Sequence, residues 1–367
     1  MSDFGHHFLI GLQRQPILTD HDKRLLSRLR PAGIIVFRDN FRHGVAYADW
    51  LATFGQLLDD ARDCIGRDRI LVCIDHEGGG VLRPPAPITQ FAAARDWREH
   101  AAKVGRAMGR ELASLGVNVN FAPVVDVNSN PDNPVIGPRA FGGTTQDVMA
   151  PAQAFLTALQ AENVMGCPKH FPGYGAVSVD SHYDMPVLDL TLDELRARDL
   201  IPFQALARDQ ATRLMMTAHI VFPRIDPDWP ATLSARLIDG VLRREYGYDG
   251  VIVSDDLGMG AISRAFDAAE APVQAIRAGT DLLEICAYWT DTSRALAFAE
   301  HVTAAWRDGR LPRDLLDRSA ARIDDLLRQA VQHRTHPLPD GELAAHALVA
   351  PLRSAAQPAA GGGAALA

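Results

Sequence analysis

Charged and imidazole side chains stand at the ends of several short apolar runs in this sequence. One run ends at Asp75, a second at Lys169 and His170, a third carries His219, and a fourth ends at Asp255. A charged group beside a buried strand is unfavourable unless it is paired or has a function. Any single one of these ends could be a structural ion pair, but four of them at one rim indicate a shared polar pocket.

The segment 169–186 carries the most information about chemistry. Its glycines and prolines predict a long loop, and a long ordered loop in a compact domain usually has a function. Within it Asp180 and His182 are close enough for the carboxylate to contact the imidazole. Such contact fixes the tautomer and favours the protonated ring, which makes His182 a candidate proton donor and acceptor. The alternative, which the spacing alone favours, is an Asx turn beside a solvated histidine.

Short apolar runs, many of them β-branched, must position these groups. They lie at 8–12, 33–37, 70–75, 117–127, 164–171, 214–222, 250–256 and 281–287. Runs of this kind are typical of strands buried on both faces of a parallel sheet. Because helical patterns alternate with these eight runs, we predict a single (β/α)8 barrel of the TIM type, with an open doubly wound sheet as the alternative.

The segments between the runs predict helices with defined ends. Apolar residues recur at helical spacing over 50–61. Thr191 and Glu194 match a capping box, and Pro202 should divide the helix that follows. We expect the catalytic barrel to cover 1–334 and the tail, 335–367, to be largely without fixed structure because it is rich in Ala, Pro and Gly.

Composition excludes several classes of protein. The 367 residues are 47% apolar and 22% charged, as in globular proteins, and the net charge of −8 gives no electrostatic case for nucleic acid or an anionic membrane. No apolar stretch approaches the roughly 20 residues that a membrane helix needs. The four cysteines form no C-x-x-C pair, so no zinc or redox motif is indicated. We expect a soluble, cytoplasmic protein, monomeric and without a cofactor or metal.

Several longer motifs occur together and in order. They are IDHEGG, NFAPVVDVN, IGPRAFGG, KHFPG-x-G, DSH and VIVSDDLGM, all within residues 33–285. With these motifs the sequence resembles the family 3 glycoside hydrolases, and in particular the single-domain bacterial β-N-acetylhexosaminidases of cell-wall recycling. No single motif would suffice, but several in register make the resemblance specific.

The resemblance implies a retaining glycosidase mechanism. Asp255 matches the family's nucleophile, which forms a covalent bond to the sugar. His182 matches its acid/base, with Asp180 as the partner that orients the ring. Asp256 is then expected to be structural.

The resemblance also implies a sugar-binding site and a substrate. Asp75, Arg83, Arg139, Lys169 and His170 match the family's substrate contacts. The implied reaction is the exo-acting release of terminal GlcNAc from GlcNAc-1,6-anhydro-MurNAc peptides, a muropeptide class. For Arg139 a structural salt bridge is the alternative, and for His219 and Asp126 we expect either a supporting or a purely structural role.

The sequence departs from the family's pattern at four positions. His76, Gly80, Tyr174 and Glu284 stand where glutamine, arginine, histidine and an apolar residue are common. Because the nucleophile and the dyad remain, we expect weaker support of the site rather than loss of chemistry. On this basis Tyr174→His should raise activity only modestly.

Three other functions stay open at this point. A β-glucosidase of the same family is one, although such enzymes usually add a second α/β domain. A metal-dependent hydrolase could use His170, His182, His219 and Asp255, but no H-E-x-x-H motif occurs. A non-catalytic sugar-binding relative is the third, and the departures at Gly80 and Tyr174 motivate it.

Overall fold

A computed structural model describes residues 4–287 and 290–353 of the chain. Its eight strands are β1 (Phe8–Gly11), β2 (Gly33–Val36), β3 (Leu71–Ile74), β4 (Val119–Asn120), β5 (Met165–Gly166), β6 (Leu214–Met216), β7 (Val251–Val253) and β8 (Leu283–Cys286). Each strand lies within one of the eight predicted apolar runs.

The strands follow one another around a (β/α)8 barrel, so the predicted fold class is confirmed. Six strands form a parallel sheet in the order β5-β4-β3-β2-β1-β8, and β6 and β7 form a second parallel ladder. Single parallel bridges, Phe171–Thr217 and Val253–Leu282, connect the two. The ladder beside β5 stays short because Pro168 and Pro172 have no N–H group to donate.

Helices cover the outside of the barrel. Those with α-helical hydrogen bonds are Asp20–Leu29, Tyr47–Ile65, Ala94–Trp97, Ala101–Ser114, Thr145–Gln160, Leu192–Ala197, Leu200–Ala207, Gly260–Ser263, Ala271–Ala278, Arg294–Arg307, Arg313–Gln329 and Glu342–His346, and a wider helix spans Arg236–Glu245. None of the helices in the described part of the chain combines the length and the apolar character that crossing a membrane requires.

Local sequence signals explain two helix boundaries. Thr191 accepts a hydrogen bond from the Glu194 N–H, and the Glu194 carboxylate accepts one from Thr191, so the predicted capping box is confirmed. The expected break comes at Arg198 and Asp199. Pro202 follows in the first turn of the next helix, where its missing N–H breaks no helical bond.

Apolar side chains pack in two layers, inside the barrel and between the strands and the helices. Alternate strand residues such as Leu9, Ile35 and Cys73 belong to the inner cluster. The helix Arg313–Gln329 adds Ile323 to the same cluster. The chain after this helix contacts Ile70, which precedes β3, so the helix packs at the amino ends of the strands and the polar groups lie at the other end of the barrel.

The C-terminal segment differs from the expectation of a tail without fixed structure. Residues 335–353 run along the barrel, where His346 is buried and its Nδ1 lies 2.8 Å from Glu111 Oε1. Leu352 forms a β-bridge with Phe91 in the loop that follows β3. The Ala-, Pro- and Gly-rich part, 354–367, lies outside the described residues.

Candidate active site

A polar cavity opens where the strands end. It encloses about 750 Å³, including its open mouth. Asp75 follows β3, Lys169 and His170 follow β5, and Asp255 follows β7. Because the carboxyl ends of barrel strands face the same rim, these residues converge. All of the predicted site residues except Asp180 line the cavity, and they are Asp75, Arg83, Arg139, Lys169, His170, His182 and Asp255.

One wall of the cavity is a chain of buried ion pairs. Lys169 Nζ lies 2.7 Å from Asp75 Oδ1 and 2.7 Å from Glu77 Oε1. The Arg139 guanidinium binds both oxygens of Glu77, at 2.8 and 2.9 Å. Arg83 lies 3.5 Å from the second oxygen of Asp75. The bidentate pair fixes the guanidinium plane, so the wall presents its polar groups in a rigid arrangement.

These pairs keep Asp75, Glu77, Lys169 and Arg139 ionised. Burial alone would raise the pKa of Asp75 and Glu77, but the neighbouring cations outweigh it and lower both values. In turn, burial alone would lower the pKa of Lys169 and Arg139, and the carboxylates reverse that shift. A hydroxylated ring entering the cavity therefore meets fixed charged donors and acceptors.

Asp180 and His182 form the dyad that their spacing allows. Asp180 Oδ1 lies 2.6 Å from His182 Nδ1 and also accepts a hydrogen bond from the His182 N–H at 2.9 Å. Burial tends to raise the pKa of Asp180, but the contacts with His182 prevail and lower it. The carboxylate stays charged and can accept a hydrogen bond from the ring Nδ1–H. When Nδ1 carries this proton, Nε2 is the atom that can exchange another with a substrate.

The dyad loop is attached to the segment that carries Asp255. Gly260 donates to the His182 carbonyl at 3.1 Å, and Ala261 donates to the Ser181 carbonyl at 3.1 Å. A Cβ atom at Gly260 would lie 2.8 Å from the His182 carbonyl oxygen, so the close approach requires glycine here. The loop and Asp255 therefore belong to one rigid arrangement around the cavity.

Tyr174 supports this loop in a way that the sequence did not reveal. Its hydroxyl accepts a hydrogen bond from the buried Ser181 N–H at 2.8 Å. Its own N–H donates to Asp126 at 2.6 Å, and Asp126 also binds His170 Nδ1 at 2.7 Å. Asp126 thus holds two cavity residues in place. The tyrosine that replaces the family's common histidine at position 174 therefore accepts a hydrogen bond from Ser181. This bond could not be predicted from the sequence, because it depends on where Ser181 lies in the folded loop.

The floor of the cavity contains further acids. Asp256 accepts hydrogen bonds from the N–H groups of Gly258 and Cys286, at 2.8 and 3.2 Å. Its pKa is nevertheless raised to about 7, chiefly by burial. Glu284 also lines the cavity, at one of the four positions where the sequence departs from the family's pattern.

The remaining candidates lie behind the cavity. His219 is fully buried, and its ring nitrogens contact Thr232 Oγ1 at 2.9 Å and the Asp256 carbonyl at 3.0 Å, so both are already engaged. His76 is also fully buried, and burial lowers its pKa to about 3, which leaves it neutral. Neither ring lines the cavity. Of the residues that sequence reasoning left without a role, Glu77 is the most central, and its position two residues after Asp75 was the available signal.

A barrel with such a charged cavity at the carboxyl ends of its strands is the architecture of many enzymes, glycoside hydrolases among them. The particular family is shown by comparison: a model described as the glycosyl hydrolase family 3 N-terminal domain matches residues 12–326, so the chain belongs to this family. The resemblance seen in the sequence is confirmed.

Similar proteins point the same way. The β-hexosaminidase of Methylococcus capsulatus is 35% identical over 338 residues, 89% of this chain and 97% of that protein. β-Hexosaminidase A of Pseudoalteromonas piscicida is 34% identical over 82% of this chain, which spans 54% of that longer protein. The solved family 3 β-N-acetylglucosaminidase from a Paenibacillus species superposes with a TM-score of 0.84 at 31% identity, covering 95% of this chain and 68% of that one.

Proposed function

We propose that the protein is an exo-acting β-N-acetylhexosaminidase that releases terminal GlcNAc from peptidoglycan fragments with retention of configuration. The observation that carries the proposal is the Asp180–His182 dyad, with 2.6 Å between its atoms, on the wall of a cavity that also contains Asp255. The names of the relatives support GlcNAc as the sugar that is released. The expectations of a muropeptide substrate, a cytoplasmic location and a monomer stay predictions.

The proposed reaction proceeds in two steps. In the first, Asp255 attacks the anomeric carbon while His182 Nε2 gives its proton to the leaving oxygen, so a glycosyl-aspartate forms and the glycosidic bond breaks. In the second, His182 takes a proton from water, whose oxygen attacks the same carbon and releases Asp255. Asp180 stays ionised in both steps and stabilises the imidazolium form.

The ion-paired wall would bind the sugar. Asp75 is the most exposed member of the chain of pairs, with 17% of its side chain exposed, and is suited to accept hydrogen bonds from sugar hydroxyls. Hydrogen-bond donors surround Asp75, and they belong to Lys169, Arg83, Arg139 and His170. Their mutual pairing reduces the freedom that binding must remove, which is the benefit of a site arranged in advance.

Hydrolysis of 4-nitrophenyl β-N-acetylglucosaminide tests the proposal, with wild type compared with Asp255→Ala and the β-glucoside as competing substrate. We expect release by the wild type, unaffected by EDTA, and at least 10³-fold slower release by the variant, in the range seen when a nucleophile is removed. Mass spectrometry of rapidly quenched enzyme should find the sugar on a peptide that contains Asp255.

Each contrary result has a definite meaning. Faster turnover of the β-glucoside would make the protein a glucosidase. Full activity of Asp255→Ala would overturn the nucleophile assignment. Activity lost with EDTA and restored by zinc would favour the metal-dependent alternative. Hydrolysis of isolated GlcNAc-1,6-anhydro-MurNAc peptides, followed by chromatography, tests the substrate class separately.

A further inference from the structure

Glu284 is an acid in the interior of the barrel. It lies in β8 between Leu282 and Cys286, which both belong to the inner apolar cluster, and strand alternation places Glu284 on the same side. The side chain is 4% exposed and contributes to the floor of the active-site cavity. A glutamate in this position breaks an otherwise apolar strand, which is unfavourable unless the carboxyl group has a use.

The two oxygens of Glu284 have different surroundings. Oε1 lies 3.2 Å from Cys286 Sγ, whose weakly acidic S–H can donate to it. Oε2 is buried and has no hydrogen-bond partner among the residues that the structure describes. Within the same residues no Lys, Arg or His forms an ion pair with Glu284, in contrast to Asp75 and Glu77 in the same cavity.

This environment favours the uncharged form of Glu284. Burial, followed by the nearby negative charges of Asp256, Asp75 and Asp255, raises its pKa well above the ordinary value. Because Oε1 faces the S–H of Cys286, the proton of the neutral acid belongs on Oε2. Glu284 therefore lies at the cavity floor with an O–H group that no described protein group accepts and that, in this conformation, is turned away from the cavity surface.

We propose that Glu284 binds the substrate by turning its carboxyl group toward the cavity and donating a hydrogen bond from it to an oxygen of the terminal sugar. The acceptor is either a ring hydroxyl or the carbonyl oxygen of the 2-acetamido group. Each of these oxygens has a lone pair that can accept the hydrogen bond. This assignment rests on the proposed function, since it places the sugar in the cavity where Asp255 would react. It makes Glu284 a determinant of specificity at a position that is otherwise apolar.

Two substitutions separate a binding role from a structural one. Glu284→Leu removes the donor but suits the apolar interior, so we expect a higher melting temperature together with about a tenfold loss of kcat/KM. Glu284→Gln keeps an N–H donor, so its kcat/KM should stay within about threefold of wild type. A purely structural glutamate would give the opposite stability result, with Glu284→Leu melting below wild type.

The pH profile provides a second readout. Ionisation of Glu284 as pH rises removes the donor, so kcat/KM of wild type should fall on the alkaline side, and this fall should be weaker in Glu284→Gln, which does not titrate. The ionisable groups near Glu284 are Asp75, Asp255, Asp256, Cys73, Cys167 and Cys286. All of them are present in both proteins, so a difference between the two profiles arises from Glu284, either through its own titration or through the cysteine pKa values that its charge raises.

Binding of free GlcNAc, measured by calorimetry, keeps the test independent of turnover. Weaker binding to Glu284→Leu than to Glu284→Gln supports the inference even if the wild type hydrolyses nothing, an outcome that would overturn only the proposed function. A loss for GlcNAc but not for glucose assigns the acetamido carbonyl, and an equal loss for both assigns a hydroxyl. Binding and kcat/KM of Glu284→Leu within twofold of wild type would overturn the inference.

Discussion

Removing the hydroxyl of Tyr174 should slow the enzyme without unfolding it. In Tyr174→Phe the N–H of Ser181, a residue that is 2% exposed, loses the acceptor that it meets at 2.8 Å. Leaving a buried N–H without a partner costs about 1–3 kcal/mol. Ser181 lies between the two members of the dyad, so the loop can recover this energy only by moving into water, and His182 moves with it.

The size of the effect follows from this free energy. Because about 1.4 kcal/mol corresponds to a factor of ten, we expect kcat to fall by about 5- to 150-fold. The Michaelis constant should change less, since the ion-paired wall does not contact the hydroxyl. The measurement is steady-state hydrolysis of 4-nitrophenyl β-N-acetylglucosaminide beside the melting temperature of each protein.

Tyr248 provides a matched control. It is as buried as Tyr174, with 3% exposure, and its hydroxyl donates to the Val251 carbonyl at 3.4 Å away from the cavity. Tyr248→Phe should leave kcat unchanged. Equal kcat values for Tyr174→Phe, Tyr248→Phe and wild type would refute the reasoning. The same geometry revises the expectation for Tyr174→His: an imidazole is shorter than a phenol and should leave Ser181 without its acceptor, so activity should fall.

Two further predictions concern the wall and the loop. Glu77→Gln leaves Lys169 and Arg139 without their shared carboxylate, and breaking a buried pair costs about 3–5 kcal/mol at pH 7. The pKa of Glu77 is lowered in the folded protein, so its contribution to the free energy of unfolding is complete above the ordinary carboxyl pKa and is lost as pH falls. The difference in melting temperature between wild type and Glu77→Gln should therefore narrow from pH 7 to pH 3. A difference that stays constant over this range would contradict the reasoning. Gly260→Ala pushes against the His182 carbonyl 2.8 Å away, so kcat should fall while far-UV circular dichroism is preserved.

The fold could be predicted from local patterns because each barrel strand is an apolar run with its own turn and helix. The capping box at Thr191 was likewise visible, since its two members are neighbours in the chain. The ordered C-terminal segment could not be predicted in this way, because it is held by residues far away in the sequence. Glu111 and His346, for example, are 235 positions apart. The Ala-, Pro- and Gly-rich composition from residue 335 predicted a tail without fixed structure, but His346 and Leu352 within it contact Glu111 and Phe91.

The candidate site shows where reasoning from residue types reaches its limit. Motifs placed Asp255 and His182 at the correct rim, because strand ends converge in a barrel whatever the side chains are. They could not say which charges are paired, and pairing decides the state of each acid. Glu77 and Glu284 are both glutamates on the same cavity, yet two cations keep the first ionised while burial beside other acids keeps the second neutral. The same residue type therefore supplies a fixed anion in one wall and a hydrogen-bond donor in the floor, and only the geometry of their neighbours separates the two.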